Sequence, residues 1–424
     1  MGIIKKFFVF LFVLLSFNFI LIYTVNAVEE PTIASPSALL MDLNSGKILY
    51  EKNIDTKMYP ASLTKVMTAI LTLEKCELNE VATVSYDAVM SISSGYVTAN
   101  LQIGEDLTIE QLLYVLMVGS ANDAAVVLAE HISGSVEEFS VLMNEKAKEL
   151  GCTGTNFLNP YGAHDENHSS TAYDLALMSK YAMQNEVFRT LVSTTSYTLP
   201  TTNKYEKEDR TFRNTNALLE YNNNQRADNY YYKYATGIKT GFTTPAKNCL
   251  ISSANKGNLE LLVVVLGASQ NDQGLSNRYL DTINLFEYGY NNYTLREIIK
   301  SGETVQTVVV PNASRDTKQL DAAISKDISV LIKQSDKNNS ILPKVIINED
   351  LKAPIKKGDT IGSVSYTVEG IDYTANLLAN NDVKKSKFFI RFIEILFLML
   401  LGWLYFKSKQ RKKKNRRLKK RIIR

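Results

Sequence analysis

At 424 residues, with 45% hydrophobic and 22% charged side chains, the chain has room for two or three domains and the composition of an ordinary globular protein. Its net charge is +4, but residues 407–424 hold 12 Lys/Arg and no acid, which leaves −8 on residues 1–406. The basic balance therefore reports a cationic tail suited to anionic lipid, and it carries no argument for nucleic acid. Three cysteines without paired spacing (Cys76, Cys152, Cys249) argue against a disulfide framework and a CxxC metal site, and Cys76 and Cys249 read as small core residues.

In chain order, residues 1–27 read as an export signal: Lys5 and Lys6 precede an apolar run over 7–23, and Val25-Asn26-Ala27 is a small-x-small cleavage site. Residues 37–42 and 46–51 predict a β-hairpin. Pro60 then leads into a helix that begins near Ser62. Thr108 and Gln111 form a capping box at the head of an amphipathic helix over 108–117; a break at 118–120 and a second helix from Asn122 to before Gly134 follow. Ser135 and Glu138 open another helix with Gly151 as its stop, and Thr171 opens one more. From Ala235 the period changes to that of strands, over 235–240, 248–254 and 259–267, before a helix returns over 271–288. Terminal strands around a helical middle predict an α+β fold, one sheet covered by helices, over residues 28–290.

Beyond a linker near 290–301, short β-rich runs at 305–310, 328–333, 345–347 and 363–368, punctuated by Pro and Gly, predict a small all-β domain over 302–377, read as a stalk or spacer. Residues 388–406 are apolar apart from Arg391 and Glu394 and, at helical rise, come to about 28 Å, the reach of a transmembrane helix. Trp403 and Tyr405 sit where an inner aromatic belt would be, and the basic tail 407–424 belongs in the cytoplasm, which leaves the bulk of the chain outside.

Ser62 and Lys65 are three residues apart at a helix start, so hydroxyl and amine share one face. A serine needs a base to become a nucleophile, and a lysine serves if burial and a second cation hold its pKa down. Ser120-Ala121-Asn122 falls at a break between two helices, and Lys239-Thr240-Gly241 at the end of a predicted strand, where glycine lets substrate backbone approach. Each motif is weak alone; together, in this order and context, they are strong.

On these residues, and on Asn159-Pro160-Tyr161-Gly162 followed by His168, the chain resembles the penicillin-binding serine peptidases, within them the low-molecular-mass D-alanyl-D-alanine carboxypeptidases, over roughly residues 30–290. The resemblance implies a β-lactamase/transpeptidase-like domain that takes peptidoglycan stem peptides and β-lactams and needs no cofactor and no metal. It implies Ser62 as acylated nucleophile, Lys65 as general base and Ser120 as proton relay. Asn122, Lys239, Thr240 and Gly241 would bind substrate, with Thr240 and Lys239 on its terminal carboxylate, and the backbone N–H groups of Ser62 and Phe242 would form the oxyanion hole.

Other readings differ in identifiable features. A metal hydrolase would have to use His164, His168 and Asp165, which lie in a loop without helical spacing and read more simply as the rim of the cleft. A β-lactamase would show a Glu-x-x-Leu-Asn signature, absent between Asn156 and Thr171, where Asp165 and Glu166 are the only acids. A non-catalytic wall or β-lactam sensor would need more signalling apparatus than the short tail offers. The run Tyr230–Tyr234 reads as a strand approach with exposed rings.

Overall fold

The computed structural model describes residues 30–206, 210–220 and 230–422; the export signal expected at 1–27 lies outside them. Two compact units are formed. One comprises the described residues through Thr294 with Lys333–Asp336, and the other Leu295–Ile332 with the residues from Lys337 onward.

In the first unit, strand β1 (Ser37–Asp42) is buried at all six positions, and a hairpin leads to β2 (Ile48–Lys52). The chain next makes a short 3₁₀ turn (Ala61–Thr64) and enters helix α1 (Lys65–Lys75). Strand β3 (Val81–Thr83), helix α2 (Tyr86–Met90) and strand β4 (Asp106–Thr108) precede α3 (Ile109–Met117), which opens on the expected Thr108–Gln111 capping box. Helix α4 (Asn122–Ser133) ends at Gly134, whose φ of 85° supplies the left-handed stop. Helices α5 (Val136–Glu149), α6 (Ala172–Ala182) and α7 (Glu186–Ser193) follow, then the pair β5 (Ser196–Leu199) and β6 (Arg210–Arg213).

Three long strands close the unit: β7 (Ala235–Thr243), β8 (Lys247–Lys256) and β9 (Leu259–Ala268), before helix α8 (Asn277–Asn292). The sheet order is β2-β1-β9-β8-β7, antiparallel throughout, so the last strands of the unit pair with its first. Helices cover it on both faces, so β9 is buried at all ten positions and reads as continuous apolar sequence without alternation. Glu260 tolerates that burial because Arg189 meets its carboxylate with two nitrogens, at 2.5 and 3.0 Å. Strand β7 is an edge, and that edge borders the site.

Several expectations shift. Lys239-Thr240-Gly241 lies inside β7 and not at its end, because pairing with β8 continues through Thr243↔Lys247. The helix expected over 271–288 starts at Asn277. Residues 230–234 are no exposed strand: Tyr230 stacks on Tyr279 at 4.5 Å and Tyr232 on Phe286 at 5.5 Å, as aromatic packing against α8.

Before its terminal helix the second unit is built of strands: β10 (Tyr293–Ile299), β11 (Thr304–Val309), β12 (Gln319–Ile324), β13 (Ile328–Lys333), β14 (Lys344–Ile347), β15 (Thr360–Val368) and β16 (Ile371–Ala379). Five of them form a sheet of order β11-β12-β16-β15-β14, and β10 pairs with β13. The core includes Leu320, Val330, Val364 and Leu377.

Helix α9 (Phe388–Ile422) runs without a break from the apolar segment into the basic one. Among the described residues, however, no helix is long and apolar enough to cross a membrane, so the span expected at 388–406 is not shown. Arg391 and Glu394 interrupt the apolar run, and its large side chains, such as Leu398, Trp403 and Tyr405, are exposed.

Candidate active site

The 3₁₀ turn has three residues per turn, so Ser62 and Lys65 lie one above the other more closely than on an α-helix. Lys65 Nζ sits 3.1 Å from Ser62 Oγ, 2.6 Å from Asn122 Oδ1 and 3.0 Å from the carbonyl oxygen of Tyr161. Its side chain is fully buried, and its pKa falls well below the ordinary lysine value; burial is the main cause, the Lys239 charge adds to it, and Asp123 opposes it.

Lys239, on β7, is also buried, and burial with the charge of Arg278 lowers it to about 7. Its ammonium contacts the carbonyl of Thr240 at 3.1 Å. A cleft of about 480 Å³ opens in front of the two lysines, lined by Ser62, Ser120, Asn122, Thr240, Gly241 and Phe242 among others. The structure thus brings all eight sequence-derived residues to one place, six at the surface of the cleft and the two lysines behind it.

Supporting contacts explain the motif residues around them. Ala61 (φ 48°) and Ser120 (φ 60°) are left-handed without being glycine, which costs on the order of 1–2 kcal/mol each. Such strain concentrates where a side chain must be aimed, and both residues adjoin or form the reacting surface. The Asp123 carboxylate accepts N–H bonds from Ala99 and Leu101, and Asn122 N–H donates to Val97, so the loop bordering the cleft is tied to the head of α4.

Asn159 Oδ1 accepts from the backbone N–H groups of Gly162 and Ala163 at 2.7 and 3.0 Å, which holds the loop that aims the Tyr161 carbonyl at Lys65. At Gly162 a Cβ would stand 1.8 Å from the Ala61 carbonyl oxygen, so no larger residue fits there. At Gly241 a Cβ would fall 3.2 Å from Ser62 N and 3.0 Å from the Pro60 carbonyl, so the glycine lets β7 pass against the turn that carries Ser62.

Two residues have roles the sequence did not suggest. His168, expected at the rim, is buried; its Nδ1 accepts from Leu158 N–H at 3.1 Å, and its Nε2 lies 2.9 Å from Thr64 Oγ1. An accepting Nδ1 assigns the proton to Nε2, and burial lowers the ring to about 4, so His168 is a neutral clamp on the 3₁₀ turn that carries Ser62. His164 packs edge-on against Tyr59, and Asp165 and Glu166 are exposed and do not line the cleft.

The second is Arg278, in the first turn of α8. It lines the cleft, and its buried Nε has no partner. Beside it Thr215 Oγ1 lies 2.6 Å from Thr240 Oγ1. Arg278 is a half-buried cation that lines the cleft, its guanidinium carbon 4.7 Å from the Tyr279 ring centroid, whereas Lys239 is enclosed. A lone arginine 37 residues after the last motif carries no local signal that could have marked it.

This constellation, a serine, a buried lysine and an edge strand, coincides with a match of residues 24–270 to the family described as D-alanyl-D-alanine carboxypeptidase. The chain belongs to that family. Residues 293–385 match the penicillin-binding protein 5 C-terminal domain, so the chain is a low-molecular-mass penicillin-binding protein in both of its units. It is 34% identical over 378 residues to the D-alanyl-D-alanine carboxypeptidase DacF of Bacillus subtilis, covering 88% of this chain and 90% of that relative. Its identity to the DacC carboxypeptidase of Escherichia coli is 29% over 387 residues, or 89% and 91% of the two chains. Among solved structures, penicillin-binding protein 5 of Haemophilus influenzae is 29% identical, with a TM-score of 0.63 over 84% of this chain and 100% of that one.

Proposed function

We propose that this serine-type carboxypeptidase removes the terminal D-alanine from peptidoglycan stem peptides ending in D-Ala-D-Ala, and that β-lactams acylate the same serine. The observation that carries the mechanism is the environment of Lys65. A neutral amine has two N–H donors and one lone pair. The carbonyl oxygens of Asn122 and Tyr161 take the donors, and Ser62 Oγ occupies the remaining direction. This set of partners accommodates a free base with its lone pair toward the Ser62 hydroxyl, and the full burial of the amine favours that form over the ammonium.

In this reading Lys65 takes the Ser62 proton as Oγ attacks the carbonyl carbon of the penultimate D-alanine. The backbone N–H groups of Ser62 and Phe242 receive the developing oxyanion. Ser120 relays a proton to the departing D-alanine nitrogen as the C–N bond breaks, with Lys239 lending positive charge. Lys65 then activates the water that hydrolyses the acyl ester. Asn122, whose Oδ1 is committed to Lys65, keeps its amide N–H₂ for a substrate carbonyl, and substrate backbone adds along the β7 edge at Gly241. Thr240 holds the terminal carboxylate, and Arg278 joins it there as the accessible cation.

The paired assay that tests this measures D-alanine release from a D-Ala-D-Ala pentapeptide and penicillin turnover on the same preparation. Steady D-alanine release with slow penicillin hydrolysis is expected; rapid penicillin turnover without D-alanine release would make the chain a β-lactamase. In the same assay Arg278→Gln should weaken kcat/KM for the pentapeptide by about 10–100-fold, the worth of a hydrogen bond to a charged group. An unchanged kcat/KM would remove Arg278 from the carboxylate site.

Residues 1–27 act, in this proposal, as an export signal, residues 28–290 as the catalytic domain and 302–377 as a spacer. Residues 388–406 attach the protein to the membrane, and 407–424 engage anionic lipid on its cytoplasmic side, so the catalytic domain faces the wall. Fifteen exposed, mostly apolar residues over 392–406 ahead of a cationic segment support attachment. Protease added to intact cells should degrade the catalytic domain and spare the basic tail; loss of the tail as well would refute this topology.

A further inference from the structure

No metal signature is visible in the sequence, where Cys76 reads as a core residue. The structure differs on this residue: Cys76 is half-buried at the end of α1, and its Sγ, a Glu80 carboxylate oxygen and a His131 ring nitrogen all lie within 4.8 Å of one another. We propose that Cys76, Glu80 and His131 bind one divalent transition ion, zinc by the chemistry of the donors, at a site separate from the catalytic cleft.

Four observations support it. The first is donor type: a thiolate, a carboxylate and a neutral imidazole are the three zinc-ligand classes, and their combined charge of −2 balances the ion. The second is spacing. His131 Nε2 and Glu80 Oε2 are 3.1 Å apart. Two N/O ligands at the corners of a zinc tetrahedron stand about 3.3 Å apart and a thiolate about 3.5 Å from each, so a small movement of the thiol closes the site. A surface ion pair would account for Glu80 and His131 but not for a thiol facing both.

The third is orientation of the ligands from outside. The other Glu80 oxygen, Oε1, accepts from Glu77 N–H at 2.6 Å, which turns Oε2 toward His131. The loop itself is pinned at both ends of its turn: Ile109 N–H donates to the Glu80 carbonyl at 2.9 Å, and Glu110 N–H to that of Leu78 at 3.0 Å. The fourth is access. Glu80 and His131 side chains are 42% and 26% exposed, so an ion can enter and a water can take the fourth position.

Placement suggests what the ion would do. Cys76 caps the end of α1, whose first residue is Lys65; His131 is in the last turn of α4, whose first residue is Asn122. The two helices meet at the catalytic lysine through the Lys65–Asn122 hydrogen bond. Their far ends would be joined by the metal, about 16 Å along α1 from the reacting atoms at helical rise. The ion therefore clips the helix pair and takes no part in the chemistry.

Cobalt(II) titrated into the reduced, metal-stripped full chain should bind at one equivalent. It should give a thiolate-to-cobalt charge-transfer band in the near ultraviolet that zinc abolishes by displacement. Cys76→Ser should lose the band while Cys152→Ser, at a buried thiol away from the cluster, retains it. Glu80→Gln should weaken cobalt binding at least tenfold. Zinc at about a hundredfold excess over Kd should raise the Tm of the native chain by about 5–10 °C and leave that of Cys76→Ser unchanged. D-alanine release by Cys76→Ser should be normal, which separates this site from the catalytic reading. Absence of the band in the native chain, or its survival in Cys76→Ser, overturns the proposal.

Discussion

Replacing Ser62 by alanine should abolish covalent labelling by penicillin and lower D-alanine release on the order of 10⁶-fold, the scale of removing a hydrolase's nucleophile. The two losses must come together, because one oxygen is acylated by both substrates. Stability should hardly change. Among the described residues Ser62 Oγ has one hydrogen-bond partner, Lys65, whose amine keeps Asn122 and the Tyr161 carbonyl as partners. The net worth of such a bond is about 1 kcal/mol, equivalent to a Tm change of about 2–4 °C in a domain of this size. Activity and folding are thus expected to separate cleanly, and mass spectrometry of the penicillin-treated variant gives the reading. A penicilloyl adduct on Ser62→Ala would mean that another residue is the nucleophile.

That prediction rests on residues legible in the sequence, because their spacing is local. Ser62 and Lys65 are one turn apart, Ser120 and Asn122 flank a helix break, and Lys239 to Gly241 follow one another in a strand. Three-dimensional closeness between these groups was inferred from shared chemistry, and the sheet supplies the cause: β7 runs beside the nucleophile turn because Gly241 has no Cβ to hold it off. The alternation of strands and helices was also legible, since β9 is a ten-residue, almost wholly apolar run buried throughout and β1 carries Ala-Leu-Leu-Met at its centre.

What was not legible depends on contacts without sequence period. Arg278 reaches the cleft through the start of α8, and His168 enters the interior because Thr64, Leu158 and Asn159 supply it with polar partners. In the β unit the strands at 319–324 and 371–379 were missed because their polar residues, such as Asp321, Asp372 and Asn376, mask the buried positions Leu320 and Leu377. The grouping of Cys76, Glu80 and His131 had no sequence signal for a different reason, which is distance along the chain. Cys76 and His131 are 55 residues apart, and only the packing of α1 against α4 makes them neighbours.

The second large effect concerns the base. Lys65→Arg should reduce acylation by about 10²–10⁴-fold, because a guanidinium cannot give up its proton at any pH the protein survives. In the native enzyme the acid limb of kcat/KM should reflect a group titrating well below an ordinary lysine. The sign follows from the causes. Burial and the Lys239 charge both disfavour ammonium at Lys65, so its folded pKa is depressed and the active free base persists to lower pH. As pH falls through that depressed value, Lys65 takes up a proton, its lone pair is lost and acylation stops. Burial and the charge of Arg278 lower Lys239 to about 7, and the charge it carries is one cause of the depressed Lys65 value. Lys239→Gln removes the neighbouring positive charge while leaving burial in place, so Lys65 should become more basic. The acid limb of penicillin acylation should then move toward alkaline pH, beyond any fall in the plateau rate. Stopped-flow acylation across the pH range measures both quantities. A limb that stays in place in Lys239→Gln, or a Lys65→Arg enzyme that acylates at the native rate, would show that Lys65 is not the base that activates Ser62.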